Sequence, residues 1–439
     1  MITRRSFLRH FLLVSGAVAT ATASIPGCTA PAATTPPKPV ADQTQPPAVP
    51  KGTPSQAKIT FWALADSRSK QAYEDNVRSF QTANPDVTVD GGYWVAAEFF
   101  QKVLVAYPGG IGPDVIVVGY GQLGTVVGNG WIEPIDAVIS GMPDADDIVP
   151  HALDGSKVDG KRYGLLVANP YPFAYRKDFF REAGLDADKP PKTWDELRDY
   201  AIRLTKRQAD KVTRAGLDIP DQNGEQAFAS MAFTHGLKNL WDEGGIPLYE
   251  SPEAVETLEF IMALRREAKV TAPSEAVGLT GTAFQRSIAA QSFTPMTAIA
   301  RLEEGIPGLI GVSIPPANPS TKALSLGSWL SLSKGIPSAR ADAAVKFYRH
   351  LCSAESLWRI YEANNHVPPR KSLMPRYTSA TPYNQIVSQV FANSVGWPIF
   401  KAFVQSRQII IDELQAIYLG QKSIKEGLRH AAEETKKLL

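Results

Sequence analysis

Gly112-Pro113-Asp114-Val115-Ile116-Val117-Val118-Gly119-Tyr120-Gly121-Gln122-Leu123-Gly124 is the stretch from which the fold is read. Gly-Pro-Asp marks a turn, and the apolar run Val115–Val118 follows without a polar interruption. A strand of that kind belongs to a mostly parallel sheet covered on both faces. Upstream, Lys58-Ile59-Thr60-Phe61-Trp62 predicts a strand, and Asp66 or Ser67 an N-cap for a helix through Phe80. Asn84-Pro85-Asp86 turns into a strand over Val87–Val89, and a helix is expected from Ala97 to Ala106. Downstream, Thr193-Trp194-Asp195-Glu196 has the form of a capping box. Ser251-Pro252-Glu253 opens an amphipathic run over 254–268, with proline at the first helical position. Beyond Pro375 the pattern is mainly helical, ending on a run over 424–439. Strand and helix signals alternate, so the class is α/β.

The N-terminus is of another kind. Thr3-Arg4-Arg5-Ser6-Phe7-Leu8-Arg9 precedes a moderately apolar stretch from Phe11 to Ile25, the layout of an export signal. The arginine pair followed by Phe-Leu matches a twin-arginine signal, with an ordinary export signal as the alternative. Ile25-Pro26-Gly27-Cys28 resembles a bacterial lipobox, which makes Cys28 the expected lipidated first residue of the mature chain. Pro26 departs from the favoured pattern. Residues 29–57 are rich in Pro, Ala, Thr and Gln and read as an extended tether. Only two cysteines occur, so no disulfide framework is expected, and Cys352 reads as a small buried hydrophobe. Cleaving residues 1–27 removes three arginines and no acid, turning the net charge from +2 to −1. A neutral body of this kind excludes a polyanion-binding surface, so nucleic acid is not an expected partner.

Catalytic and cofactor motifs are weak. Gly119-Tyr120-Gly121-Gln122-Leu123-Gly124 has the form GxGxxG, yet Gly128-Asn129-Gly130 interrupts the helix that a dinucleotide site requires. No HExxH, GxSxG, Walker lysine loop or metal-spaced cysteine cluster is present, and the six histidines are scattered. Neither a catalytic residue, a metal nor a cofactor is called for. The glycine-rich loop then reads as a ligand loop at the carboxyl end of a sheet, where α/β proteins bind solutes.

Taken in order, several soft motifs resemble one family. They are Ile59-Thr60-Phe61-Trp62, Gly112-Pro113-Asp114-Val115-Ile116, and Gly130-Trp131-Ile132-Glu133-Pro134-Ile135-Asp136. Asp159-Gly160-Lys161-Arg162-Tyr163-Gly164 follows, then Tyr175-Arg176-Lys177-Asp178, Thr193-Trp194-Asp195-Glu196-Leu197, Leu326-Gly327-Ser328-Trp329 and Val367-Pro368-Pro369-Arg370. The chain from about residue 58 onward resembles the extracellular solute-binding proteins of ABC importers, in the sugar-binding, maltose-binding-protein-like group. The resemblance implies a two-lobe, periplasmic-binding-protein-like clamp (type II), each lobe a mostly parallel sheet flanked by helices. Lobe 1 would take 58–166 and 323–364, lobe 2 would take 167–322 and 365–439, with crossings near Leu166, Leu324 and Val367. It further implies a monomeric, non-enzymatic carrier, anchored outside the cytoplasm, that hands a sugar, expected to be an oligosaccharide, to permease subunits.

The ligand contacts implied by the resemblance combine planar polar groups with aromatic rings. Trp62, Asp66 and Arg68 follow the first strand, with Trp62 also reading as core and Asp66 as a helix cap. Tyr120 and Gln122 lie in the main ligand loop, where the family member compared has an acid–arginine pair. Asn169 and Tyr171 sit at the first crossing, in place of an acidic contact, and Tyr171 also reads as hinge packing. Trp241 and Trp329 are the expected stacking platforms, with core packing as the alternative for each. Arg370 lies at a crossing, with a surface arginine as the alternative reading, and Trp94 and Thr294 are secondary candidates. Trp131, Trp194 and Asp114 are assigned to structure. Two rival readings keep their place: the same clamp for a polyol phosphate, polyamine or peptide-like solute, and an exported NAD(P)-dependent oxidoreductase.

Overall fold

The computed structural model describes residues 57–220, 224–272 and 282–439. The export signal, Cys28 and nearly all of the proline-rich tether lie outside the described residues. Two sheets of different construction carry the fold. The larger has seven strands. Its centre is β1 (Ala57–Leu64), flanked in parallel by β2 (Val87–Trp94) and β3 (Val115–Gly119). Val115–Val118 is fully buried, as the uninterrupted apolar run predicts. Asp114 is more than a turn residue: its carboxylate accepts from the Thr60 amide at 2.9 Å and from Arg340 Nε at 2.9 Å, tying β1 to the entry of β3.

Helices form where caps and apolar spacing coincide. Asp66 caps Ser67–Ala83 by accepting from the Ser69 amide at 2.9 Å. That helix and Ser338–Leu351 bury Tyr73, Phe80 and Phe347, whose rings meet Phe61 or one another edge-on at 5.0–5.6 Å. Thr193 caps Trp194–Leu204, but Glu196 accepts from the Lys192 amide at 2.6 Å, one residue earlier than the expected capping box. Ser251 and Ser423 cap Pro252–Met262 and Ile424–Lys436. Cys352 is buried, and burial pushes its thiol up to about 12.

The smaller sheet departs from expectation. Four segments define the switch into and out of it: β4 (Leu165–Pro170), β5 (Phe173–Arg176), β6 (Gln291–Phe293) and β7 (Ile310–Ser313). Both β6 and β7 pair antiparallel with β5, so this sheet is antiparallel throughout. The reason is topological. β6 and β7 run the same way, joined through the helix Met296–Gly305, and β5 is inserted between them in the opposite sense.

One long strand, β8 (Ala323–Ser333), joins the two regions, pairing antiparallel with β3 on one side and β4 on the other. Gly327 sits at its middle, opposite Ala168, with φ of 142°. A side chain there would drive into the Val167 carbonyl oxygen and lie 3.1 Å from the Ala168 Cα. Gly327→Ala should therefore cost about 1–3 kcal/mol of stability from the backbone conformation alone, read as a lower urea midpoint. An unchanged midpoint would show that β8 relaxes without cost and that the glycine is dispensable.

Candidate functional site

Parallel sheets present loops at the carboxyl ends of their strands, and here those loops face the β5 side of the molecule. After β1 come Asp66 and Arg68. Asp66 pairs with Arg301, and Arg68 forms a two-pronged pair with Glu304, both oxygens at 2.6 Å. Arg301 and Glu304 ride on the helix Met296–Gly305, which follows β6, so these pairs link the two sheets' regions. Burial acts to raise the Asp66 carboxyl. The Ser69 amide and hydroxyl, Arg301 and Asn364 outweigh it and hold the group below its ordinary range. His366 lies beside the same pair, and burial pushes its imidazole down to about 4. An open groove of about 370 Å³ borders these pairs, lined by Arg68, Glu303, Glu304, Tyr361 and Tyr383 among others.

After β3 the chain makes a single turn, Tyr120–Gln122, and a six-residue helix, Leu123–Gly128. Tyr120 is buried against Trp329, ring centroids 5.0 Å apart, and burial raises its phenol. Gln122 turns its side-chain oxygen back to the Gly119 amide at 3.0 Å. Trp329, on β8, has no exposed surface, and its ring Nε1 has no hydrogen-bond partner among the described residues. Ser325 lies four residues earlier on the same face of the strand, with Gly327 between them, and its hydroxyl is likewise buried and unpartnered.

The facing wall comes from β4 and from helices beyond it. Asn169 closes the start of the helix Met296–Gly305, accepting from the Thr297 amide at 3.3 Å and donating to its hydroxyl at 3.2 Å. Tyr171 donates to Gln226 Oε1 at 2.9 Å, and burial raises its phenol. Beside Gln226, Glu225 is fully buried at the start of Glu225–Thr234 and accepts from Arg407 Nε at 3.0 Å. One oxygen of Glu225 remains without a partner. His151 Nε2 lies 3.4 Å from the Ser394 hydroxyl.

The named candidates thus fall into separate groups. Asp66, Arg68 and Asn169 meet the helix Met296–Gly305, Tyr120, Gln122 and Trp329 gather after β3, and Tyr171 reaches Gln226. Trp62 and Trp94 meet edge-on at 5.1 Å, half-buried, on the sheet face under Ala96–Ala106, with Lys102 5.2 Å above Trp94. Trp241 and Arg370 lie elsewhere. Trp241 has no exposed surface and is enclosed by Tyr249, Trp397, Phe400 and Phe403, so the core alternative describes its place. Arg370 is fully buried, bonded to the Cys352 carbonyl and to Asp144 and Asp147, and is not a surface arginine. Thr294 is buried beside β5, its amide 3.4 Å from the Pro172 carbonyl.

Glu225, Gln226, Arg301, Glu304, Trp397 and Arg407 escaped the sequence reading. Charged residues spaced along an amphipathic helix look like solvated surface, and nothing local tells Arg301 that Asp66 waits 235 positions away. Trp397 had a signal: it stands in Gly396-Trp397-Pro398, a turn-rich interruption of an otherwise helical tail.

Comparison with known proteins agrees with this architecture. The model of the family described as bacterial extracellular solute-binding protein matches residues 76–382. The sn-glycerol-3-phosphate-binding periplasmic protein of Escherichia coli (strain K12) is 22% identical over 417 residues, covering 87% of this chain and 92% of that one. Among solved structures, an ABC transporter solute-binding protein of Thermotoga lettingae bound with α-D-tagatose superposes with a TM-score of 0.76 at 22% identity. The match covers 87% of this chain and 99% of that one. An ABC substrate-binding protein of Listeria monocytogenes in complex with cycloalternan gives a TM-score of 0.76 at 21% identity, with 87% and 99% covered. The α/β fold is that of these binding proteins.

The Asp66–Arg301 pair makes a prediction about pH. A carboxyl held low in the folded state stabilises above its unfolded pKa of about 3.9 and loses that contribution as pH falls through the folded value. Asp66→Asn should lower the thermal midpoint at pH 7, and the gap to wild type should close below about pH 3.9. A gap that persists at low pH would show that the Asp66 charge does not carry the loss, since asparagine also caps a helix.

Proposed function

The chain belongs to the bacterial extracellular solute-binding family, and from that premise we propose that it captures a neutral sugar between two lobes and delivers it to the permease of an ABC importer. Its family consists of binding proteins rather than enzymes. We divide the lobes as 58–166 with 323–364 and 167–322 with 365–439, the chain crossing at β4–β5, at the start of β8 and at Val367. The third crossing supports the scheme, because the Val367 amide donates to the Ala168 carbonyl at 2.8 Å, beside the Gly327 pairing.

The observation that carries the sugar reading is charge neutrality at the junction. Arg68, Arg301 and Arg407 each have a carboxylate partner, in Glu304, Asp66 and Glu225. Apart from the Glu303 carboxylate, which would repel an anion, what remains there is uncharged: the Tyr120 and Trp329 rings, the Trp329 Nε1 donor, the Ser325 hydroxyl, and the amides of Gln122 and Gln226. Uncharged donors and acceptors beside aromatic faces suit hydroxyls and C–H faces. A phosphate would need a cation free to meet it. The sugars named for the structural neighbours support the same choice, and the glycerol-phosphate-binding relatives supply the competing one.

Thermal unfolding against neutral sugars and glycerol 3-phosphate decides between them. A ligand at a hundredfold excess over Kd stabilises the folded state by about 2.7 kcal/mol, a shift of a few degrees. Neutral sugars should produce it, and Trp329→Phe, which removes the unpartnered donor, should weaken binding about 2- to 12-fold. A shift with glycerol 3-phosphate alone would replace the sugar reading by the phosphate one.

Anchoring is part of the proposal. Lipidated Cys28 and the tether over 29–57 would hold the binding body outside the cytoplasm at a membrane surface. Cys28→Ser should release the protein into the soluble extracytoplasmic fraction. Retention with membranes would place the anchor elsewhere.

A further inference from the structure

The GxGxxG stretch, which no nucleotide explains, has a structural use. Four glycines in or near it and its partner face protein at very short range. A Cβ on Gly124 would fall inside the Phe400 carbonyl oxygen and 2.9 Å from the Phe400 amide nitrogen and carbonyl carbon. One on Gly128 would lie 2.7 Å from Lys401 Cβ, one on Gly121 would enter the Phe403 ring, and one on Gly396 would strike the Tyr120 hydroxyl. Two backbone segments, Tyr120–Gly128 and Gly396–Phe403, are therefore in direct contact along their lengths.

In the lobe division proposed above these segments fall in different lobes, the second entering just after Ser394–Val395 pairs with the start of β8. Leu123 and Val126 are fully buried in the region of β3, and Tyr120 packs on Trp329 of β8. Gly396 accepts from Asn239 Nδ2 at 2.8 Å, Trp397 meets Phe233 and Trp241, and Phe400 and Phe403 also pack on Trp241. Thr125 Oγ1 adds a polar contact, donating to the Lys401 carbonyl at 3.4 Å.

We propose that Gly121, Gly124 and Gly396 set how far the lobes close beside β3, and so exclude any solute long enough to pass between the two segments. This rests on the clamp reading above and refines it, because the bound sugar is then short, ending at Tyr120, rather than a long oligosaccharide. The physical basis is contact distance. Nonbonded heavy atoms settle at about 3.5–4.0 Å, so a methyl on Gly124 forces the segments apart by about 1 Å or more. Phe400 meets it with backbone, which cannot rotate away. Closure would then stop early, and contacts that depend on closure, including Arg68–Glu304, would not form.

The test uses the full chain. Gly124→Ala should weaken binding of a disaccharide at least tenfold while leaving the unliganded thermal midpoint within about 2 °C of wild type, since open lobes do not meet at this residue. Gly305→Ala, whose added methyl has no atom within 4 Å, should bind as wild type. In wild type, affinity should not rise from a disaccharide to a tetrasaccharide of the same sugar. An unchanged affinity in Gly124→Ala, a large fall in the unliganded midpoint with affinity retained, or tenfold tighter binding of the tetrasaccharide would each overturn the proposal. If no sugar binds wild type, the sugar reading fails, and the contact is judged separately. Gly128→Cys with Lys401→Cys, whose Cβ atoms pass from 2.7 Å apart in the shut form through the disulfide spacing of about 3.5–4.5 Å as the lobes part, should then be trapped as a disulfide on mild oxidation while unliganded lobes transiently shut, identified by peptide mass spectrometry. Absence of that bond would overturn the closure contact itself.

Discussion

The structure depends on β8 being hydrogen-bonded on both edges at once. Its partners, β3 and β4, pair with it antiparallel in a sheet whose β1, β2 and β3 run parallel. Such a strand cannot slide by one residue without turning Trp329 and Ser325 to the opposite face. Gly327 lets it come within contact of Val167 and Ala168 at the point where Val367 also attaches to β4. The crossings of the proposed lobes therefore gather around a short stretch of β4 and β8. A junction that narrow concentrates bending in few residues and leaves the packed bodies on either side intact, which is the requirement for a hinge.

Much of this was legible locally. Asp66, Thr193 and Ser251 cap the helices that their sequences announce, because a side-chain oxygen within three residues of a free amide is a local matter. The buried strand Val115–Val118 was equally plain. Partners far along the chain were not. Periodicity reports that a face is covered but not by what, so Trp241 and Arg370 looked as available to a solute as Tyr120 did. The direction of the small sheet was also hidden, since insertion of β5 between β6 and β7 leaves no mark on the composition of any of the three strands. The GxGxxG stretch misled in an instructive way: glycine records close approach of backbone, and the sequence does not say whether the approaching group is a phosphate or another segment of chain.

The arginines divide by burial into two kinds. Arg370 is taken wholly out of water and compensated by two carboxylates and a backbone carbonyl, the condition under which a buried charge is tolerated. Arg68 and Glu304 remain substantially exposed, so their pair contributes little to stability by itself. Its two-pronged geometry fixes orientation instead, which is what a rim contact between the proposed lobes would need. Asp66 joins the two roles, capping a helix of one body while pairing with Arg301 of the other.

Neutrality and closeness at the junction then have one cause. Each arginine that meets a carboxylate across or beside the cleft removes a charge that a phosphorylated solute would have used, and each glycine that meets backbone removes volume that a long solute would have filled. In the proposed clamp the groups left for recognition are few and, Glu303 apart, uncharged: two aromatic rings, an indole donor, a hydroxyl and two amides. Buried polar groups without partners cost free energy in the closed state. In the proposed clamp, a solute whose hydroxyls match the Trp329 donor and the Ser325 oxygen would lower that cost only with the lobes shut around it, which would make recognition and closure one event.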